Sequence, residues 1–124
     1  MSVRVLIVDD QAPFREAARS VVEATDGFAV VGEAETGEAS VDLAQKLNPD
    51  LVLMDVNLPG INGLEATRQI LKNSNGTVVV LLLSTYEEQE YAPHAAECGA
   101  ATYISKSKFE PDRLAAAWER AKKR

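Results

Sequence analysis

The sequence contains a single cysteine, Cys98, so an internal disulfide is excluded. Cysteine usage therefore gives no indication of an oxidising compartment. No apolar stretch is long enough to cross a bilayer, and the apolar run of residues 1–8 is too short for a signal peptide and lacks its cleavage site. From these absences we expect a cytoplasmic protein that makes no contact with a membrane.

Basic residues are outnumbered by acidic ones, 13 against 19, which gives a net charge of −6 and an isoelectric point near 4.8. An acidic chain gains nothing from displacing the counterions of a nucleic-acid backbone, so we exclude DNA binding by this domain alone. A length of 124 residues, 46% of them hydrophobic, fits one compact domain over residues 1–124. Any role at DNA would therefore require another domain.

Short apolar runs rich in valine, leucine and isoleucine recur along the chain and predict strands that are buried on both faces. These runs are residues 3–8, 28–31, 51–54, 78–83 and the weaker 101–105. Helical patterns occupy the intervals, as in the spacing of Phe14, Ala18 and Val22, and Asn62 and Pro111 are typical helix starts. The alternation predicts a (βα)5 fold, a doubly wound five-stranded parallel sheet with helices on both faces.

The predicted fourth helix, residues 87–98, carries an internal proline, Pro93. A proline inside a helix removes a hydrogen bond and clashes with the preceding turn, so we expect this helix to be kinked, shortened or delayed. Gly99 is placed to end the helix. The packed side of the helix is predicted from its apolar pattern to contain Tyr91, Ala92, Ala95 and Ala96.

Acidic residues follow two of the predicted strands. Asp9 and Asp10 end the first strand and Asp55 ends the third, so a strand order of 2-1-3-4-5 brings them to one edge of the sheet. A lone aspartate at a strand end is most often a turn residue or a helix cap, but three at neighbouring ends indicate a site. Because carboxylates repel one another, we expect a hard divalent cation there, magnesium, with manganese as a substitute.

Two further polar residues follow neighbouring strands. Ser84 ends the fourth predicted strand and Lys106 follows the fifth. A hydroxyl group and a point positive charge together complement a phosphoryl group. Lys106 taken alone would be interpreted as a solvated lysine, and only its combination with the carboxylates makes it a candidate site residue.

Four segments together resemble the receiver domain of two-component response regulators, and the likeness covers essentially the whole chain. They are residues 5–10 (VLIVDD), 53–63 (LMDVNLPGING), 83–85 (LST) and 99–106 (GAATYISK). Residues 31–34 (VGEA) and 63–67 (GLEAT) resemble the subgroup whose output module is a LuxR-type helix-turn-helix, as in NarL and FixJ. The resemblance implies a flavodoxin-like fold with the strand order given above.

The resemblance also implies a role for each matched residue. Asp55 would accept a phosphoryl group, and Ser84 and Lys106 would contact its oxygens. Tyr103 matches the aromatic residue that turns inward when the hydroxyl residue, here Ser84, shifts toward the phosphoryl group. Magnesium would be bound by Asp10, Asp55, the main-chain carbonyl of Asn57 and, largely through water, Asp9.

The chemistry implied by the family is in-line attack by Asp55 on a phosphohistidine of a sensor histidine kinase, followed by slow hydrolysis. The domain would be a switch that catalyses its own phosphorylation and dephosphorylation rather than a conventional enzyme. Its switched surface would comprise the fourth helix, fifth strand and fifth helix, which is a candidate homodimer contact, as are the first and fifth helices. Control of transcription would need a DNA-binding output domain, and the alternative is a stand-alone receiver that binds a partner protein.

Two other protein classes share some of these features. A flavin-binding electron carrier with the same sheet order needs a phosphate loop rich in serine, threonine and glycine, which residues 11–13 (QAP) do not provide. A phosphatase of the haloacid dehalogenase type resembles this chain in its aspartyl nucleophile but calls for an Asp-x-Asp pair, whereas Asp55 is followed by Val56 and Asn57. Both classes therefore rank below the receiver.

Overall fold

The computed structural model describes residues 2–122, in which five strands alternate with five helices. The strands are β1 (Val3–Val8), β2 (Phe28–Ala34), β3 (Leu51–Asp55), β4 (Val79–Ser84) and β5 (Thr102–Ser105). The helices are α1 (Ala12–Glu23), α2 (Gly37–Leu47), α3 (Gly63–Asn73), α4 (Glu88–Cys98) and α5 (Pro111–Lys122). A short 3₁₀ helix, Lys106–Lys108, connects β5 to α5. The alternation confirms the predicted (βα)5 fold.

All five strands form one parallel sheet in the order β2-β1-β3-β4-β5, as predicted. The register aligns the carboxyl ends of the inner strands, because Val8 lies beside Met54 and Asp55 lies beside Leu83. Ser84 at the end of β4 lies beside Ser105 at the end of β5. Residues that end or follow these strands therefore emerge at one edge of the sheet.

The core consists of two apolar layers, one on each face of the sheet, because side chains alternate along each strand. One layer packs α1 and α5 against residues such as Ile7, Leu53 and Leu81. The other packs α2, α3 and α4 against residues such as Leu6 and Met54. Burial of each large aliphatic side chain contributes about 1.5–3 kcal/mol to stability, so the central strands form a rigid base for their polar ends.

The predicted helix ends are confirmed at α3, α4 and α5. The Asn62 side chain caps α3 by accepting a hydrogen bond from the Glu65 N–H at 2.9 Å. Gly99 follows α4 in the left-handed region, with φ at 92°, which a glycine adopts at little cost. Pro111 is the first residue of α5, where its missing N–H leaves no hydrogen bond unmade.

The α4 helix begins at Glu88, one residue later than predicted, and continues past Pro93, which is exposed. A kink at Pro93 stays a prediction, whereas the predicted packed side of the helix is corrected. Ala92 and Ala96, predicted on the packed side, are also exposed, and the buried residues are Ala95 and Cys98. The error arises because alanine is small and only weakly apolar, so the alanine pattern does not define the edge of the buried side.

The structure also extends β2 beyond the predicted run. The strand continues to Ala34, whereas its apolar residues suggested an end at residue 31. Glu33 lies within this extension and forms ion pairs with Arg15 and Arg19 of α1.

Within residues 2–122, no helix combines the length and apolar character needed to cross a membrane.

Candidate functional site

Three carboxylates meet where β1 and β3 end. Asp9 and Asp10 directly follow β1, and Asp55 is the last residue of β3. Each offers an oxygen, and these oxygens all lie within 4.8 Å of one another. Asp9 and Asp55 are buried, while Asp10 is exposed to solvent. The structure thus brings together the three residues that the sequence placed at neighbouring strand ends.

Burial and charge repulsion change the acidity of Asp55. The pKa of this carboxyl group is raised from 3.8 to about 6, first because burial disfavours the charged form and next because the Asp9 carboxylate is close. The Lys106 ammonium and the main-chain N–H of Asn57 oppose the rise, and Asp10 adds to it. The site therefore contains more negative charge than its own residues neutralise.

Asp9 is held firmly but is not fully satisfied. Its Oδ1 accepts a hydrogen bond from the Gln11 N–H at 2.8 Å, and its main-chain carbonyl accepts one from Arg15 Nη1 at 2.8 Å. Its Oδ2 lies 2.7 Å from Lys106 Nζ, an ion pair whose angles do not suit a hydrogen bond. Among the described residues, this Oδ2 is a buried oxygen without a hydrogen-bond partner.

Lys106 supplies the positive charge of the site. It begins the 3₁₀ helix after β5, and its side chain is 17% exposed. The ammonium nitrogen lies 2.7 Å from Asp9 Oδ2 and 3.6 Å from Asp55 Oδ1. It also lies 4.4 Å from the centre of the Phe14 ring. One cation thus bridges two of the three carboxylates and faces an aromatic ring.

The carboxylates fit a small divalent cation. Oxygens around an octahedral magnesium ion lie about 2.1 Å from the metal and therefore roughly 3–4 Å from one another, which the spacing of the three carboxylates permits. An unsatisfied buried oxygen on Asp9 and a raised pKa on Asp55 are both relieved by added positive charge. Asn57 is exposed two residues after Asp55, beside this cluster.

Ser84 and Tyr103 lie on the neighbouring strands, and both are buried. The Tyr103 hydroxyl donates a hydrogen bond to the main-chain carbonyl of Tyr86 at 2.6 Å. Burial raises the pKa of Tyr103 to about 12, and the nearby Ser84 side chain opposes this rise. The structure therefore buries Tyr103 and joins its hydroxyl to the segment that follows β4.

Sequence reasoning missed two neighbours of the site, Phe14 and Glu88. Phe14 was identified only as a packing residue of a helix, although its ring faces the Lys106 ammonium. Glu88, in the first turn of α4, accepts hydrogen bonds from the Ser105 N–H at 3.1 Å and from Arg113 Nη2 at 2.7 Å. These contacts link residues far apart in the chain, and no local pattern signals them.

Comparison with known proteins identifies the family. The response regulator receiver domain is matched over residues 5–119. The transcriptional regulatory protein DegU of Brevibacillus brevis is 38% identical over 84% of this chain, which corresponds to 44% of that protein. The chain spans about half the length of the curated regulators that it resembles.

Solved structures agree with the sequence match. The signal receiver domain of NarL from Mycobacterium tuberculosis has a TM-score of 0.87 at 30% identity, with 99% of this chain and 98% of that chain covered. A two-component response regulator of the LuxR family from Aurantimonas sp. SI85-9A1 has a TM-score of 0.84 at 35% identity, with coverage of 96% and 84%. These matches confirm the resemblance to the NarL and LuxR group, and the chain belongs to the receiver domain family of two-component response regulators.

Proposed function

We propose that Asp55 is the phosphoacceptor of this receiver domain and takes its phosphoryl group from a phosphohistidine of a sensor histidine kinase. One observation supports this most directly. Asp55 is 5% exposed at the end of the central strand, and its carboxylate has an oxygen within 4.8 Å of oxygens of Asp9 and Asp10 and one 3.6 Å from the Lys106 ammonium. A carboxylate nucleophile that lies beside an ammonium group and beside other metal-binding carboxylates suits phosphoryl transfer.

The proposed metal is magnesium, with manganese as a substitute. Asp10, Asp55 and the main-chain carbonyl of Asn57 would bind it directly, and Asp9 would act largely through water. When bound, the ion supplies positive charge that stabilises the oxygens of the transferring phosphoryl group. The unsatisfied Oδ2 of Asp9 and the raised pKa of Asp55 support this assignment.

In the proposed reaction, an Asp55 carboxylate oxygen attacks the phosphorus atom as the bond from phosphorus to the histidine nitrogen breaks. Asp55 becomes an acyl phosphate, and the histidine leaves with the electron pair of the broken bond. Lys106 and the Ser84 hydroxyl contact the phosphoryl oxygens. Water later attacks the phosphorus, which releases inorganic phosphate and restores the Asp55 carboxylate, so the domain catalyses both its phosphorylation and its own reset.

Phosphorylation is proposed to reach the surface formed by α4, β5 and α5. Movement of Ser84 toward the phosphoryl group would alter its contact with Tyr103 and the hydrogen bond of Tyr103 to Tyr86, which precedes α4. The relatives of about twice this length are transcriptional regulators, which supports a DNA-binding output domain in the whole protein. Homodimerisation through this surface, or through α1 and α5, is a further part of the proposal.

The test is intact-mass measurement after incubation with acetyl phosphate and magnesium. The wild type should gain one phosphoryl mass, and Asp55→Asn should gain none. Asp42→Asn, which changes an exposed aspartate of α2, is the matched control and should be phosphorylated like the wild type. Removing magnesium with EDTA should abolish the gain. Equal phosphorylation of Asp55→Asn and wild type would contradict the assignment.

A further inference from the structure

The Lys106 ammonium is enclosed by groups of two kinds. Asp9 and Asp55 attract it by charge at 2.7 Å and 3.6 Å, and the face of Phe14 attracts it through the ring quadrupole at 4.4 Å. The lysine side chain is 17% exposed, so little water competes for the cation. Ring contacts of this kind strengthen when the cation is desolvated.

The carboxylates and the aromatic ring differ in how much positive charge they leave on Lys106 for a phosphoryl group. A carboxylate holds an ammonium by neutralising it, whereas an aromatic face carries no net charge and leaves the positive charge intact. An aromatic face also does not compete for a divalent cation, whose ligands are oxygens. Once Asp9 and Asp55 serve a metal ion, as in the proposed function, Phe14 is the neighbour of Lys106 whose attraction is unchanged.

The local structure fixes Phe14 in this position. Pro13 sets the backbone in the first turn of α1, and Phe14 follows directly. The ring of Phe109, just after the 3₁₀ helix, lies 6.4 Å from the Phe14 ring at an angle of 42°. Phe14 and Phe109 both pack against the core layer beneath α1 and α5. The Phe14 ring is therefore held in place. The long Lys106 side chain can adopt many rotamers, and its contact with this ring favours the one that reaches the site.

We propose that Phe14 is a positioning residue for phosphoryl transfer, whose aromatic face holds the Lys106 ammonium at the site while leaving its charge free for the phosphoryl oxygens. This inference rests on the proposed function. It assigns to α1 a part in positioning Lys106, in addition to its packing role.

The test replaces Phe14 with phenylalanines carrying one, two and three ring fluorines. Fluorine removes electron density from the ring face in steps while changing its volume little, so a packing role would not respond in steps. The rate of phosphorylation by acetyl phosphate at saturating magnesium should fall progressively, by roughly 3- to 10-fold at three fluorines. The same series at Phe109, which touches the Phe14 ring rather than the cation, is the matched control and should have little effect.

A second measurement does not depend on phosphorylation. The ε-methylene protons of Lys106 should be shifted upfield by the Phe14 ring in an NMR spectrum, and the shift should persist when magnesium is added. Loss of the shift on adding magnesium would overturn the proposal.

The two proposals fail in different ways. If the wild type is not phosphorylated on Asp55, the proposed function is wrong. If the wild type is phosphorylated but the Phe14 series shows no decline in rate, or the same decline as the Phe109 series, only the role of Phe14 is overturned.

Discussion

The three carboxylates of the site differ in how well their charge is compensated. Asp10 is exposed, so water solvates it, and Asp9 receives the Gln11 N–H and the short approach of Lys106. Asp55 is buried and has only the longer approach of Lys106, at 3.6 Å, together with the Asn57 N–H. Asp55 is therefore the least compensated carboxylate of the site, and its pKa is raised.

This imbalance predicts that Asp55→Asn stabilises the metal-free protein at alkaline pH. Because the folded pKa of about 6 exceeds the ordinary 3.8, the stability contributed by the protonated form is full below pH 3.8 and is lost as pH rises through 6. By linkage the loss reaches up to about 3 kcal/mol. Urea unfolding in EDTA should show the variant more stable than wild type at pH 8 and nearly equal at pH 3.5.

Two controls separate this effect from others. Asp42→Asn removes an exposed carboxylate and should change the free energy of unfolding by only a few tenths of a kcal/mol at either pH. Adding magnesium at pH 8 should stabilise the wild type far more than Asp55→Asn, because the variant lacks one of the proposed ligands. A wild type as stable as the variant at pH 8 without metal would show that Asp55 is not strained by its neighbours.

The α4 helix packs on its surroundings through small apolar residues. Its buried residues are the small Ala95 and Cys98, with Tyr91 packed against them. Glu88 attaches its first turn to β5 through the Ser105 N–H and to α5 through Arg113. Desolvation would raise the pKa of Glu88, but the bonds from Ser105 and Arg113 outweigh it and lower the pKa. The hydrogen bonds of Glu88 thus add to the small apolar contact of α4.

Pro93 weakens the same helix from within. Its missing N–H leaves the carbonyl four residues earlier without its helical partner, and its ring crowds that turn, at a cost of up to about 3 kcal/mol. Pro93→Ala should therefore raise the free energy of unfolding by roughly 1–3 kcal/mol and slow hydrogen exchange in α4. Pro111→Ala, at the first position of α5, is the matched control and should not stabilise. Equal effects at the two prolines would contradict this account.

The accuracy of the predicted strand limits differs from one strand to the next. β1 matches its predicted limits because its apolar residues, interrupted by Arg4 alone, are bounded directly by Asp9 and Asp10. The end of β2 was missed because Gly32 and Glu33 are not apolar, and the strand is held there by pairing with β1 and by ion pairs to α1. Periodicity predicts the elements that local apolar patterns define, and it fails where tertiary contacts decide.

The same division applies to the site at the scale of the whole molecule. Asp9, Asp10 and Asp55 could be predicted together because strand order alone brings the ends of β1 and β3 side by side. The position of Phe14 over Lys106 could not, because it depends on the direction of two side chains on elements at opposite ends of the chain. Topology thus predicts which backbone positions meet, while contacts between side chains require coordinates.

The small residues on the surface of α4 and β5 are relevant to how two copies of the molecule could form a dimer. A groove of about 450 Å³ runs between α4 and β5, and its lining includes Ala92, Ala96 and Thr102. Small side chains let a second surface approach closely, and their loss of water contact costs little. The α1 helix presents the exposed Ala17 beside the charged Arg19 and Glu23, which form an ion pair with each other. Of the two candidate dimer contacts, the α4–β5 groove thus offers small side chains, whereas α1 offers charged side chains beside Ala17.

We therefore expect phosphorylated protein to dimerise through the α4–β5 groove, and sedimentation velocity before and after acetyl phosphate treatment measures this. Ala96→Glu should abolish the increase in sedimentation coefficient, because it buries a carboxylate in the contact and adds to a monomer charge of −6. Ala17→Glu makes the same change at an exposed position of α1 and should leave dimerisation intact. Both positions favour helix, so the monomers should remain folded. Loss of dimerisation with Ala17→Glu alone would instead assign the contact to α1 and α5.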